Sequence, residues 1–249
     1  MTLKKYQEKR RFDVTPEPFG KQNGKSKKAP SLVYVIQKHR ASHLHYDFRL
    51  EWNGVLLSWA VPKGPSLDPS VKRLAMHVED HPIDYATFEG VIPAGEYGGG
   101  TVMVWDQGTW EPEQEDVDAA LQKGDFKFTL HGKKLKGSWV LVRTRGYGGG
   151  SSGKSSWLLI KHRDEYASTE DITESQPYSV VSRRLLADIA RDNHGDVEQA
   201  ATGDPAHKKA DEGTDKKTDE KANRVLQKQP PKSSAVKKRP ARAKNRARA

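Results

Sequence analysis

The 249-residue sequence has no cysteine. That excludes a disulfide framework and thiolate chemistry, and it leaves His, Asp, Glu and carbonyl groups as the possible metal ligands. The absence suits a reducing compartment, and cytoplasmic residence is the expectation. No run of about 18 apolar residues occurs, so no membrane span is expected. The first 28 residues hold no apolar stretch of the signal-peptide kind. Core material is also scarce, with 34% hydrophobic against 31% charged residues. A core built from so little apolar surface serves one domain, with part of the chain left outside it.

The body of the chain also lacks an excess of either charge. The net charge is +10. Residues 206–249 hold 15 Lys/Arg against 5 Asp/Glu and therefore carry the whole excess. A neutral body with a basic tail reads as a flexible arm for a polyanion, and nucleic acid is the natural partner.

What is present is a succession of short β-type runs. They cover residues 31–37, 43–52, 55–61, 74–78, 101–105, 109–111, 126–130, 138–144 and 157–161, with Gly and Pro between them. Asn53-Gly54 is a hairpin turn signal. Residues 116–123 read as a helix stopped by Gly124, and 182–193 as a second one. Many short strands at hairpin spacing predict a mainly β chain, an antiparallel barrel or sandwich with one or two short helices. The expected division is an N-terminal arm over 1–28, the β domain over 29–193 and a disordered basic tail over 194–249.

One run carries an unusual inventory. Along residues 43–52, side chains alternate between faces. Leu44, Tyr46, Phe48, Leu50 and Trp52 form an apolar face. His43, His45, Asp47, Arg49 and Glu51 form the other. His45 and Asp47 stand about 7 Å apart at Cα on one face, close enough to converge on an ion. An ordinary solvent face favours Thr, Lys, Glu and Ser instead. Nitrogen with carboxylate ligands favours Mn, Zn, Co or Fe over Ca, with Mg behind. Arg49 lies one pleat beyond Asp47, and an ion beside a guanidinium makes a clamp for phosphate. Lys63, Arg73, His81 and Tyr85 are further groups that can converge on the site, His81 as general acid or phosphate donor.

Gly148 to Ser155 fits the phosphate-loop pattern G-x-x-x-x-G-K-[ST]. That loop needs a following helix, whose amides face the phosphates. Here Ser156-Trp-Leu-Leu-Ile-Lys reads as a strand, so the match is a Gly/Ser hairpin loop.

Taken together, several ordered motifs resemble the 3′-phosphoesterase domain of bacterial and archaeal DNA ligase D, from non-homologous end joining. They are Thr15-Pro-Glu-Pro, Gln37-Lys-His39, His43-Leu-His45-Tyr-Asp47-Phe-Arg49-Leu, Ser58-Trp-Ala-Val-Pro-Lys63-Gly-Pro-Ser, Glu79-Asp-His81-Pro, Phe88-Glu-Gly-Val-Ile-Pro, Gly95-Glu-Tyr-Gly and Trp157-Leu-Leu-Ile-Lys. The resemblance runs from about Tyr6 to Ala167.

The resemblance implies a small β-barrel with its site in a surface groove. It implies Mn²⁺, with Co²⁺ as a substitute, held at His39, His45 and Asp47, and phosphate contacts from Arg49 and His81. Lys63, Arg73 and Tyr85 are implied as supporting positions. An N-terminal Arg, an adjacent Asp and a downstream Glu also support activity in the family. Arg10 and Glu17 match two of these, while Arg11 stands at the acidic position, with Asp13 as a stand-in. The implied reaction removes a 3′-terminal ribonucleoside and then the 3′-phosphate, leaving a 3′-hydroxyl. Implied partners are DNA 3′ ends at primer-template junctions and separate ligase, polymerase and Ku proteins, at the nucleoid. No Lys-x-Asp-Gly ligase motif occurs, so a stand-alone form is the expectation.

Overall fold

In the computed structural model, residues 3–20, 31–144 and 155–205 are described. The basic segment 206–249 and most of the Gly148–Ser155 loop lie outside the described residues, as does 21–28 of the expected arm.

Alternation of side chains sets the strands, and the turns set their pairing. β1 (Leu32–Arg40) and β2 (Leu44–Trp52) form one hairpin, and β2 continues into β3 (Val55–Val61). The second turn is Asn53-Gly54, with φ of 50° and 80°. Two successive left-handed residues match the right-handed twist of the flanking strands, which is why this dipeptide announced the hairpin.

Further strands are β4 (Arg73–His77), β5 (Gly90–Ile92), β6 (Gly100–Pro112), β7 (Asp125–Gly132), β8 (Lys136–Arg143) and β9 (Ser156–Lys161). The pairing order is β1-β2-β3-β4-β9-β8-β7-β6, and β6 pairs back to β1. Eight antiparallel strands therefore close a barrel, and β5 adds to β6 outside the ring. Closure decides barrel over sandwich and removes the open sheet edges. The runs expected at 101–105 and 109–111 are one strand, β6, with a register shift against β1 at Ile36/Gln37.

The barrel interior is filled by the even face of β2 and its counterparts. Phe48, Trp59, Trp105, Trp110, Phe126, Phe128 and Trp139 are all buried there. Such large rings bury much apolar area per residue, which explains how a sequence poor in apolar residues holds a core.

Helices are more numerous than the one or two expected. α1 (Lys4–Glu8), α2 (Val117–Lys123), α3 (Ile172–Ser175), α4 (Leu186–Asp192) and α5 (Val197–Ala201) accompany a short 3-10 helix, Ile83–Thr87. All are too brief to show a periodic stripe. α2 matches its signals, with an Asp116 cap and Gly124 at φ 81°. The ordered chain runs past residue 193, where a tail was expected. The reason is local: Asp204 accepts hydrogen bonds from the amides of Leu186 and Ala187 at 3.0 and 2.9 Å, and Ala200 is buried in the main core. No helix among the described residues is long and apolar enough to cross a membrane.

A second, smaller cluster lies on the barrel's outer face. Tyr6 from the N-terminal segment and Tyr85 and Ala86 from the 3-10 helix pack on Val35, Leu56 and Val104. Residues 3–20 are thereby fastened beside the odd face of β1 and β2, where the ionisable row lies.

Candidate metal centre and phosphate clamp

Antiparallel register builds the candidate centre. His39 of β1 stands directly opposite His45 of β2, and Gln37 opposite Asp47. The hairpin thus supplies the third group, which the spacing along one strand left undetermined. His39, His45 and Asp47 each offer a ligand atom, and these atoms lie within 4.8 Å of one another.

Backbone carbonyls fix both imidazoles. Nε2 of His39 lies 2.9 Å from the Gly98 oxygen, and Nδ1 of His45 lies 3.0 Å from the His43 oxygen. A carbonyl only accepts, so those nitrogens carry the protons. His39 Nδ1 and His45 Nε2 are left facing Asp47 Oδ2, at 3.6 and 3.7 Å. These separations exceed good hydrogen bonds and leave the lone pairs converging on one point. The donor set, two imidazole nitrogens and a carboxylate, suits a divalent transition metal.

Electrostatics agree with the geometry. Burial alone would raise the Asp47 pKa, but Arg49 and His45 outweigh it and hold the carboxyl well below the usual range. Burial disfavours a proton on His45, yet Asp47 and the His43 carbonyl outweigh it and raise its pKa. Asp47 is therefore an anion that attracts positive charge to the point the histidines face.

Arg49 is built into the same constellation. One terminal nitrogen lies 3.1 Å from Asp47 Oδ2. Its Nε donates to Gln37 Oε1 and its other terminal nitrogen to Ser58 Oγ, both at 2.8 Å. Gln37 in turn donates to the carbonyls of Tyr85 and Phe88 at 3.0 and 2.9 Å. Three of the guanidinium's five N–H groups are engaged this way among the described residues, and two are free for an anion.

His81 connects Arg49 to the N-terminal segment. Its Nδ1 lies 2.9 Å from the Glu79 carbonyl and 3.3 Å from Ser58 Oγ. Nε2 lies 3.2 Å from Arg10 and accepts from it. Burial first, then Arg49 and Arg10, push the His81 pKa well below its ordinary value. The imidazole is neutral, with an acceptor nitrogen toward Arg10. Arg10 also donates to Glu17 Oε1 at 2.8 Å, and Tyr85 donates to that oxygen at 2.9 Å.

His39, His45, Asp47, Arg49, His81, Tyr85, Arg10 and Glu17 thus form one connected system. Lys63 and Arg73 stand apart from it. Lys63 is exposed in the turn after β3, and Arg73 opens β4 with a buried Nε that has no partner among the described residues. Arg11 is 69% exposed and pairs with Glu96, and Asp13 is exposed. The acidic position that Arg11 occupies lies outside the Arg10–Glu17 contacts.

Four contributors escaped the sequence reading as site residues: Gln37, Ser58, Glu79 and the Gly98 carbonyl. Ser58 had a signal, since it is the one polar residue in Val55–Val61 (VLLSWAV). A backbone carbonyl leaves none.

Residues 37–143 match the family model described as the DNA Ligase D 3′-phosphoesterase domain. The domain that holds these residues belongs to that family. It is 51% identical over 187 residues to the multifunctional non-homologous end joining protein LigD of Pseudomonas aeruginosa, covering 74% of this chain and 22% of that protein. The LigD proteins of Mycobacterium tuberculosis and Mycolicibacterium smegmatis are 46% and 40% identical over 144 and 168 residues. These stretches are 58% and 66% of this chain, and 18% and 21% of those proteins. The chain thus spans about a fifth of the length of these curated relatives. Within the phosphoesterase family match lie the triad, Arg49, Lys63, Arg73, His81 and Tyr85. Arg10 and Glu17 precede it.

Proposed function

We propose that this chain is a metal-dependent DNA 3′-end phosphoesterase. It removes a 3′-terminal ribonucleoside and then the remaining 3′-phosphate, leaving a 3′-hydroxyl for end joining. The observation that carries the reading is the pairing of two carbonyl-oriented histidines with a carboxylate that also holds Arg49. That is a cation site and an anion clamp sharing one oxygen.

His39 Nδ1, His45 Nε2 and Asp47 would hold the ion, and Mn²⁺ is the preferred candidate, with Co²⁺ as a substitute. When bound, the ion supplies Lewis-acid polarisation of a phosphate oxygen. The chain's own groups orient the ester. Arg49, fixed on three sides, offers its remaining N–H groups to non-bridging oxygens. His81 would donate to the phosphate through Nε2, with the charge of the bound anion favouring a proton there. Arg10, Glu17 and Tyr85 keep the imidazole and the guanidinium in place. Lys63 and Arg73 follow the pairs Tyr46↔Val61 and Ala60↔Met76 on the His45 side, where they would contact the DNA backbone. In the first step a water oxygen bonds to phosphorus, the bond from phosphorus to the nucleoside 5′-oxygen breaks, and that oxygen takes up a proton. In the second step the phosphomonoester is hydrolysed to the 3′-hydroxyl and inorganic phosphate.

The substrate would be the 3′ end of a primer-template junction. Separate ligase, polymerase and Ku proteins would act with it at the nucleoid, and residues 206–249 would add nonspecific attraction to DNA. A primer-template with a single 3′-ribonucleotide, incubated with Mn²⁺ and sampled over time, tests the reading. A 3′-phosphate intermediate followed by a 3′-hydroxyl is expected. Persistence of the starting strand with every divalent metal tried would refute it.

A further inference from the structure

A cavity of about 710 Å³ adjoins the triad through Gly98, and neither Arg49 nor His81 lines it. Gly98, whose carbonyl holds His39, lies in its wall, and the turn joining the His39 strand to the His45 strand closes another side through Ala41 and Ser42. The far wall is the segment between α4 and α5, with Asn193, His194, Asp196 and Gln199. That wall lies outside the 37–143 family match, and the volume suits a small molecule.

The charge of this lining is informative. Among the described residues no lysine or arginine lines the cavity; Glu96, which is paired with Arg11, and Asp196, which caps α5, both do. A phosphodiester strand finds no lysine or arginine in this lining to pair with its charge. The lining suits instead a group that is neutral, part apolar and rich in hydroxyl donors. The 3′-terminal nucleoside of a strand is such a group, because no phosphate follows it. Its base matches the apolar floor of Val91, Ile92 and Pro93, and its ribose hydroxyls match the carboxylate of Asp196.

We infer that this cavity binds the departing 3′-terminal ribonucleoside, and so separates ribonucleoside removal from phosphate removal. The inference rests on the phosphoesterase reading above. Ala94 is exposed in the lining, so Ala94→Trp narrows the cavity without disturbing the core. Asp196→Asn removes the charge and retains a cap for α5, since Asn caps as well as Asp.

The test uses the full chain with Mn²⁺ on two primer-templates, one ending in a ribonucleoside and one in a 3′-phosphate. In Ala94→Trp the ratio of ribonucleoside removal to phosphate removal should fall at least tenfold, through KM rather than kcat. A parallel fall in both steps, or no change in the ratio, would overturn the inference. Saturation-transfer NMR with free adenosine supplies a readout independent of activity. Adenosine should give a signal with the native chain, a weaker one with Ala94→Trp, and one stronger than 2′-deoxyadenosine until Asp196→Asn removes the preference. Equal signals from the native chain and Ala94→Trp would overturn the site. Inactivity of the native chain on both substrates would instead sink the phosphoesterase reading, while the adenosine signals would still decide the cavity.

Discussion

The polar outer face of β1–β3 has two ends that differ in how completely their groups are paired. At the covered end, Arg10 and Glu17 have side chains only 5% and 0% exposed, and each is bonded to several partners. At the open end, His45 is 23% exposed and two imidazole nitrogens face a carboxylate without bonding to it. A buried network that is fully satisfied is a rigid part, whereas converging unfilled donors are a place for a ligand. Arg49 and Asp47 join the two. The comparison teaches that the covered end serves as the frame and the open end as the reacting centre, and it can be broken from either side.

The largest effect should come from the open end. Asp47→Ala removes a ligand and the partner of Arg49 together, so hydrolysis of both a 3′-ribonucleoside and a 3′-phosphate should fall by about 10³-fold or more. Circular dichroism should show the barrel retained, because the barrel interior is built from the opposite face of β2. Mn²⁺ should raise the melting temperature of the native chain and not that of the variant. A variant that still hydrolyses at the native rate would remove Asp47 from the centre.

At the covered end the loss should be one of stability. Glu17→Ala leaves the buried Arg10 guanidinium with only Glu79, at 3.6 Å, as a carboxylate partner, and losing a hydrogen bond to a buried charge costs about 2 kcal/mol. Urea unfolding would read this as a lower midpoint with an unchanged slope. Mn²⁺ binding measured below the unfolding transition should persist, since His39, His45 and Asp47 stand on β1 and β2 and neither Arg10 nor Glu17 bonds to them. Loss of Mn²⁺ binding with native stability would reverse the assignment of the two ends.

These two ends were also unequally legible in the sequence. Alternation along one strand put His45, Asp47 and Arg49 on one face, because a period of two is written in the residue order itself. His39 needed the register of a hairpin, which is set by pairing across chain segments. The resemblance named it, but only the β1–β2 pairing places it opposite His45. The barrel was readable as many short strands, and its closure was not, since that depends on β6 returning to β1 from far along the chain. The frame was hardest to see. Gln37 acts through Arg49 and Gly98 through its backbone oxygen, so their residue types advertise nothing, and Ser58 shows only as a lone polar residue in an apolar strand. The helix read over 182–193 is present as the shorter α4, whereas α5 was hidden because Ala200 holds it by a tertiary contact rather than by a periodic stripe.

Arg49 tests the joint between the ends. Its three engaged N–H groups point in fixed directions to Asp47, Gln37 and Ser58. A lysine carries the same charge on a flexible stem and cannot reach all three. In Arg49→Lys, Mn²⁺ affinity or turnover should fall by about 10–100-fold, as for other partners that orient a metal ligand. Titration calorimetry with Mn²⁺ and phosphate release would separate the two contributions. Native values for both would show that Arg49 is merely a counter-charge.

The smallest effect is a pH dependence carried by His81. Its folded pKa is depressed, because burial and the flanking Arg49 and Arg10 all oppose a proton. The unfolded chain has no such opposition, so its histidine takes up a proton below about pH 6.5. Protons then favour the unfolded state, and the contribution present above pH 6.5 is lost as the pH falls. His45 acts with the opposite sign because its pKa is raised, and His77 with the same sign because its pKa is lowered. Both are retained when His81→Gln is compared with the native chain, so their terms cancel in the difference. Between pH 7 and 5, urea midpoints of His81→Gln should decline less steeply than those of the native chain. Parallel curves would mean that His81 takes up its proton as readily in the folded state as in the unfolded one. It would then be a charged partner of the open end rather than a neutral member of the frame.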